Sequence, residues 1–264
     1  KRLAEQGVKV QWTEFPGGPQ LLEGLNVGSI DFGVTGETPP VFAQAAGADL
    51  LYVAYEPPAP TSEAILVPKD SPITSVKDLK GKKVVLNKGS NVHYLLVAAL
   101  QKGGLTFSDI QPAYLSPADG RAAFENNKVD AWVTWEPFLT SAQRQLPTRT
   151  LADGSGLASY KRYYLTGTGY AKAHPQVLSV VYDQLHKTGS WLKANPKEAA
   201  HVLSPLWGNL DIETVEIANS HRSYQIQPVK RDELGEQQKI ADAFFAAGLL
   251  PKAVDAGDVE IWKP

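Results

Sequence analysis

The sequence predicts an α/β protein of two similar lobes, each built on a mainly parallel sheet flanked by helices. Two observations carry that expectation. Short apolar strands alternate with helix-period segments along the chain, the order that parallel pairing needs because each crossover requires a helix. A segment then recurs: Ile30-Asp31-Phe32-Gly33-Val34-Thr35-Gly36-Glu37 aligns with Val129-Asp130-Ala131-Trp132-Val133-Thr134-Trp135-Glu136 at an offset of 99 residues, with proline close behind each. One α/β unit repeated at that spacing implies two lobes rather than one continuous sheet.

The chain opens in what reads as the last turns of a helix, Lys1–Gln6, stopped at Gly7. Val8–Phe15 alternates like a strand, and Gly17-Gly18-Pro19 turns into a helix over Gln20–Asn26. Ile30–Val34 is a strand, Pro39-Pro40 suit a first helical turn, and the helix continues through Val41–Ala46. Leu50–Tyr55 and Ala64–Val67 are strands separated by the rigid Glu56-Pro57-Pro58-Ala59-Pro60 loop.

The pattern then restarts. Ile73–Lys83 reads as a short helix with Ser75 as its cap, followed by an apolar strand that breaks at Asn87-Lys88-Gly89-Ser90-Asn91 into a helix ending near Lys102. Ile110–Leu115 and Val129–Thr134 read as strands, Pro117–Asn126 and Pro137–Gln145 as helices. From Tyr163 a strand and turn lead into amphipathic helices over Pro175–Asn195, Pro196–Leu206, Ile212–Ser220 and Arg231–Ala247. Shifting the strand and turn before Asn91 back by the repeat offset places their counterparts ahead of Lys1, so the first lobe is expected to lack its leading strand in this chain.

Composition excludes several functions. A net charge of −2 gives no basic footprint for nucleic acid, and no apolar run approaches the ~20 residues that span a bilayer. Cysteine is absent, which removes disulfides, thiolate nucleophiles and cysteine metal sites. Methionine is absent too, even at position 1, so an upstream segment, cleaved or left out, is expected.

Catalytic motifs are missing. Lys88-Gly89-Ser90 lacks the upstream glycine of a Walker loop, and neither a nucleophile elbow nor a His-Glu-x-x-His pair occurs. The five histidines have no ligand spacing, so no metal is expected. His93 alone stands in the first turn of a helix at a strand end, where it either reaches a cleft or serves structure.

Anion binding fits better. Three candidate helix starts lie at the carboxyl ends of strands: Gly36–Thr38, Ser90-Asn91 and Trp135–Pro137. Helix N-termini offer free N–H groups and partial positive charge there. Ser90, Asn91, Thr38 and Glu136 can equally cap their helices. Trp135 sits in a turn where it can pack on a ligand's carbon chain, whereas Trp132 belongs in the core. Glu37, Glu56 and Glu136 either cap or pair between lobes, or else recognise an amine.

The runs Gln20–Asp49, Glu56-Pro57-Pro58, Lys88-Gly89-Ser90, Tyr114–Asp119, Val129–Pro137, Pro251–Asp255 and Ile261-Trp262 resemble the aliphatic-sulfonate-binding proteins of bacterial ABC importers over nearly the whole chain. The resemblance implies a type II periplasmic-binding-protein fold with ligand between the lobes. One lobe would hold 1–67 and 163–264, the other 68–162, with crossovers near Ala64–Pro68 and Tyr163–Gly167. It implies a small organosulfonate ligand held by Thr35, Gly36, Glu37, Ser90, Asn91, His93, Trp135 and Glu136. An importer permease and its ATPase would be partners of a periplasmic monomer without cofactor or catalysis. Taurine- or nitrate-type carriage is the neighbouring reading. Enzymes of the same fold, desulfinases and thiamin-pyrimidine synthases, are the more distant one; the desulfinases use a cysteine that this chain lacks.

Overall fold

The computed structural model describes residues 2–264, and Lys1, the first residue of the expected N-terminal helix end, lies outside them. The helix end is present as α1 (Arg2–Glu5). Val8–Phe15 is the first correction. It forms no strand, and Trp12 is 93% exposed. Alternation makes a strand only where a neighbour supplies hydrogen bonds, and among the described residues none pairs with this segment.

Helix α2 (Gly18–Asn26) has Pro19 in its first turn, packs on strand β1 (Phe32–Gly36), and buries Leu22 and Leu25 in a core with Tyr52, Tyr163 and Leu165. Helix α3 (Thr38–Ala45) carries two prolines in its first turn, where their missing N–H groups cost no helical bond. Strand β2 (Leu50–Glu56) follows, and after the proline loop β3 (Glu63–Pro68) begins. Ile73–Lys83 is corrected to a single 3₁₀ turn at Val76–Leu79. Ser75 does cap it, in a reciprocal box with Asp78, and the left-handed Gly81 ends it before β4 (Lys83–Leu86).

Helix α4 (Asn91–Lys102) is buried along its first seven residues. Strand β5 (Gln111–Tyr114), helix α5 (Pro117–Glu125), strand β6 (Ala131–Trp135) and helix α6 (Phe138–Gln145) match the expected order. Strand β7 (Thr148–Asp153), which the sequence reading missed, precedes β8 (Arg162–Gly167) and the short α7 (Thr168–Ala173). Helices α8 (Pro175–Ala194), α9 (Pro196–Leu203), α10 (Ile212–Ser220) and α11 (Gly235–Ala246) complete the chain with β9 (Glu260–Ile261). Among the described residues no helix is long and apolar enough to cross a membrane.

Two sheets result, in the orders β1-β8-β2-β9 and β5-β4-β6-β3-β7. The repeat is visible in them. β1 and β6 are offset by 99 residues at both ends, and each pairs with an antiparallel strand, β8 or β3, which pairs in turn with β2 or β7. The sheets are therefore mixed. Parallel pairing is confined to β4 with β5 and β6, and β2 with β9, because β3 and β8 enter from the opposite sheet and run against their neighbours.

The largest core lies on the α4 face of the five-stranded sheet, where Ile65, Val84, Val92, Leu95, Leu96 and Val133 are almost wholly buried. Helix α11 closes it with Ile240, Ala241 and Phe244 while also packing against α3. On the other face Trp132 is buried beside Phe124, as expected of a core tryptophan.

Candidate functional site

Three helices of eight residues or more, α2, α3 and α4, begin where the carboxyl ends of β1 and β4 approach each other. Close backbone approach is possible because glycine stands at the contacts. A Cβ on Gly36 would lie 2.9 Å from the Asn91 side-chain oxygen, and one on Gly17 would lie 3.0 Å from that of Asn87. None of the three helices has its N-terminus capped by the preceding side chain. Ser90 donates instead to the carbonyl of Asn87, at 2.7 Å. The helix N-termini thus keep their partial positive charge without an internal partner.

Thr35 is buried and donates to the Gly36 carbonyl at 2.8 Å. Asn91 donates its side-chain amide to Glu63 at 2.6 Å. Glu63 stands opposite Trp135 in the β3–β6 register, so their side chains share one face of the sheet. Thr35, Gly36, Ser90, Asn91 and the half-buried Trp135 are brought to one region.

The remaining expected residues face elsewhere. Glu37 is engaged by the returning crossover: Ser159 Oγ (2.7 Å), Tyr160 N (2.8 Å) and Lys161 N (3.0 Å) all donate to its carboxyl. Burial pushes its pKa up, against those three donors. His93 is packed among Phe107, Tyr114 and Phe244, and its Nδ1 accepts from the Gly89 amide at 3.0 Å. Burial, reinforced by Lys88, lowers its pKa to about 3, so the ring is neutral. Glu136 accepts from Thr140 N (3.0 Å) and Thr140 Oγ1 (2.6 Å), capping α6, and contacts His221 Nδ1 at 2.7 Å. Glu56 binds Arg222 and accepts from the Tyr164 hydroxyl at 2.7 Å.

Several buried polar atoms near these turns have no protein partner: Gln20 Oε1, Thr38 Oγ1, Glu63 Oε1, Asn87 Oδ1 and Thr134 Oγ1. Of these residues, sequence reading placed only Thr38 in a candidate anion-binding turn. Thr134 was visible as the repeat partner of Thr35; Glu63 had no local signal, because its partner Asn91 is 28 residues away. A cavity of about 350 Å³ lined by Asp31, Asp49, Tyr170 and His174 lies at the opposite ends of β1 and β2, away from the helix N-termini.

Neutral N–H and hydroxyl donors gathered in this way suit an anion. Comparison with known proteins gives the family. Residues 3–199 match the family model described as NMT1/THI5 like. The chain is 44% identical, over all of its length and 82% of the relative's, to an aliphatic sulfonates-binding protein of Escherichia coli strain K12. A Bacillus subtilis protein of the same designation is 32% identical over 97% of this chain and 77% of its own. The structure of the alkanesulfonate-binding protein SsuA from Xanthomonas axonopodis pv. citri, bound to MOPS, superposes with a TM-score of 0.88 at 44% identity, covering 95% of this chain and 88% of that one. With a match across most of the chain and curated relatives aligned almost end to end, this protein belongs to the NMT1/THI5-like family, beside the aliphatic-sulfonate-binding proteins.

Proposed function

We propose that the protein is a periplasmic solute-binding protein that captures an aliphatic sulfonate between two closing lobes and delivers it to an ABC importer's permease and ATPase. The observation that carries this reading is the meeting of three uncapped helix N-termini at Gly17–Gly18, Glu37–Thr38 and Ser90–Asn91. A sulfonate is anionic at every physiological pH and accepts hydrogen bonds only. Amides and hydroxyls hold it without the desolvation cost of burying a lysine or arginine opposite it. The designations of the relatives, aliphatic sulfonates-binding and alkanesulfonate-binding, and the MOPS bound to one of them, support the same cargo class.

Thr35, Gly36, Ser90, Asn91 and Trp135 form the cargo-facing set. Glu37, His93 and Glu136 shape it from behind, holding the returning crossover, the Lys88–Ser90 turn and α6. The lobes of this reading exchange chain just ahead of Glu63 and Arg162, where β3 and β8 begin, rather than at the 67/68 and 162/163 divisions expected from the sequence. Binding without turnover suits the chemistry present: the Glu37 carboxyl is engaged by structural donors, and the chain has no cysteine nucleophile.

Calorimetry with alkanesulfonates of increasing length, taurine, MOPS and nitrate tests the proposal. A plain alkanesulfonate is expected to bind near micromolar, about −8 kcal/mol, and nitrate far more weakly. No binding of any sulfonate ends it.

A further inference from the structure

Two carboxyls, Glu37 and Glu63, are wholly buried beside the meeting helix N-termini, and their surroundings differ. Glu37 accepts three hydrogen bonds, two of them from backbone amides, which suits a carboxylate. Glu63 accepts one, from Asn91, and its Oε1 is buried with no partner. A charged carboxylate with one donor in a dry site costs far more than a neutral acid.

The groups facing Glu63 come from every element around it. Glu37 and Asp153 of β7 repel a negative charge there, while Arg162 of β8 attracts one. Arg162 is shared, lying over the Tyr160 ring at 4.2 Å and also supporting Glu56. Tyr94 of α4 and Tyr160 of the crossover are buried phenols and stay neutral. Burial first, then Glu37, pushes the Glu63 pKa well above the ordinary carboxylate value. Of two carboxyls in one buried region, the one with fewer donors holds the proton.

We propose that Glu63 is a cargo-binding residue in its neutral acid form, its free carboxyl oxygen carrying the O–H that donates to the anionic head of the cargo. This rests on the sulfonate reading above. The position supports it: Glu63 shares a sheet face with Trp135 and is bonded to the first residue of α4, whose side-chain oxygen lies against Gly36. A neutral acid is a strong donor to an anion, whereas an ionised Glu63 would repel the same head group. Cargo binding is then proton-linked although a sulfonate does not titrate. The acid form is present at low pH, so affinity is full below the Glu63 pKa and falls as pH rises through it. The fall reaches about tenfold per pH unit above that pKa.

The test is calorimetry of the full chain with ethanesulfonate or pentanesulfonate, which carry no titrating group besides the sulfonate, from mildly acidic to alkaline pH. The wild type is expected to lose affinity at least tenfold across the range and to take up protons on binding, read from buffers of different ionisation heat. Glu63→Gln, which keeps a donor and removes the titration, is expected to bind with less than a twofold change across the same range. Binding by the wild type that is flat with pH, or an equal slope in Glu63→Gln, overturns the assignment alone. No binding at any pH overturns the sulfonate reading, and the assignment with it. Should Glu63→Gln fail to fold, wild-type proton uptake decides: its absence overturns the assignment.

Discussion

Asn91 donates its side-chain amide to Glu63 over 2.6 Å, tying the first turn of α4 to the first residue of β3. The bond also fixes the Asn91 carbonyl oxygen, which sits where a side chain on Gly36 would have to go. Helix α4 and the end of β1 can therefore meet only while position 36 has no Cβ.

Gly36→Val is expected to hold the two turns apart. Its Cβ would stand 2.9 Å from Asn91 Oδ1 and 3.0 Å from Asn91 Cβ, and Asn91 cannot swing away without leaving Glu63. Alkanesulfonate affinity should fall at least tenfold, about 1.4 kcal/mol, with a much smaller change in the urea midpoint. Calorimetry showing wild-type affinity would remove the contact from the closing mechanism.

Glu56 and Arg222 form a buried ion pair supported by Tyr164. Burial alone would raise the Glu56 pKa, but the Arg222 charge and hydrogen bonds, with Arg162 and Tyr164, hold it below the ordinary value of 4.5. Arg222→Ala strands a buried carboxylate and is expected to cost about 3 kcal/mol by urea denaturation at neutral pH. A depressed carboxylate pKa stabilises the fold above its unfolded value, and that contribution is lost as pH falls through the folded one. Acid sensitivity below about pH 4.5 should therefore be milder in Arg222→Ala than in the wild type. Equal acid slopes would show that the pair does not govern acid stability.

Phe244 packs edge-on to Phe42 of α3 and to His93 of α4, each at 4.9 Å, so one side chain of α11 joins helices that start at opposite sheets. Phe244→Ala is expected to cost about 3–5 kcal/mol. Its neighbour Phe245 is 48% exposed, and Phe245→Ala should change stability by less than about 0.5 kcal/mol. Urea unfolding of the two variants checks the contrast; similar costs would mean that α11 does not join the halves through Phe244.

The sheet backbone was legible where sequence signals were local. The repeat marked β1 and β6 to within two residues, and Ser75 announced a helical start. What needed a distant partner was not legible. Val8–Phe15 alternates but has no ladder, and β7 is a strand chiefly because β3 lies beside it. Glu63 reads as an ordinary loop carboxylate until α4 folds against β3 and brings Asn91 to it. His93 could be placed in the first turn of α4, but that turn is buried on all sides, so helix position could not tell cleft from core.

His93 gives the prediction that separates those two environments. Its Nδ1 accepts from the Gly89 amide, so the proton of the neutral ring is on Nε2, an atom with no protein partner. Protonating the ring would break that bond and place a charge among Phe107, Tyr114 and Phe244. The folded-state pKa is lowered to about 3, by burial first and by Lys88 second, whereas the unfolded chain titrates near 6.5. Between those values the unfolded state binds the extra proton, so stability is full above about pH 6.5 and is lost as pH falls, by roughly 1.4 kcal/mol per unit. His93→Gln keeps an acceptor for Gly89 and removes the titration. It is expected to be less stable at neutral pH, through lost ring packing, yet to show a shallower decline from pH 6.5 toward 5. Parallel declines in urea unfolding, or an NMR titration of the His93 ring near pH 6.5 in the folded protein, would place the ring in solvent-accessible surroundings and reopen a direct role at the cleft.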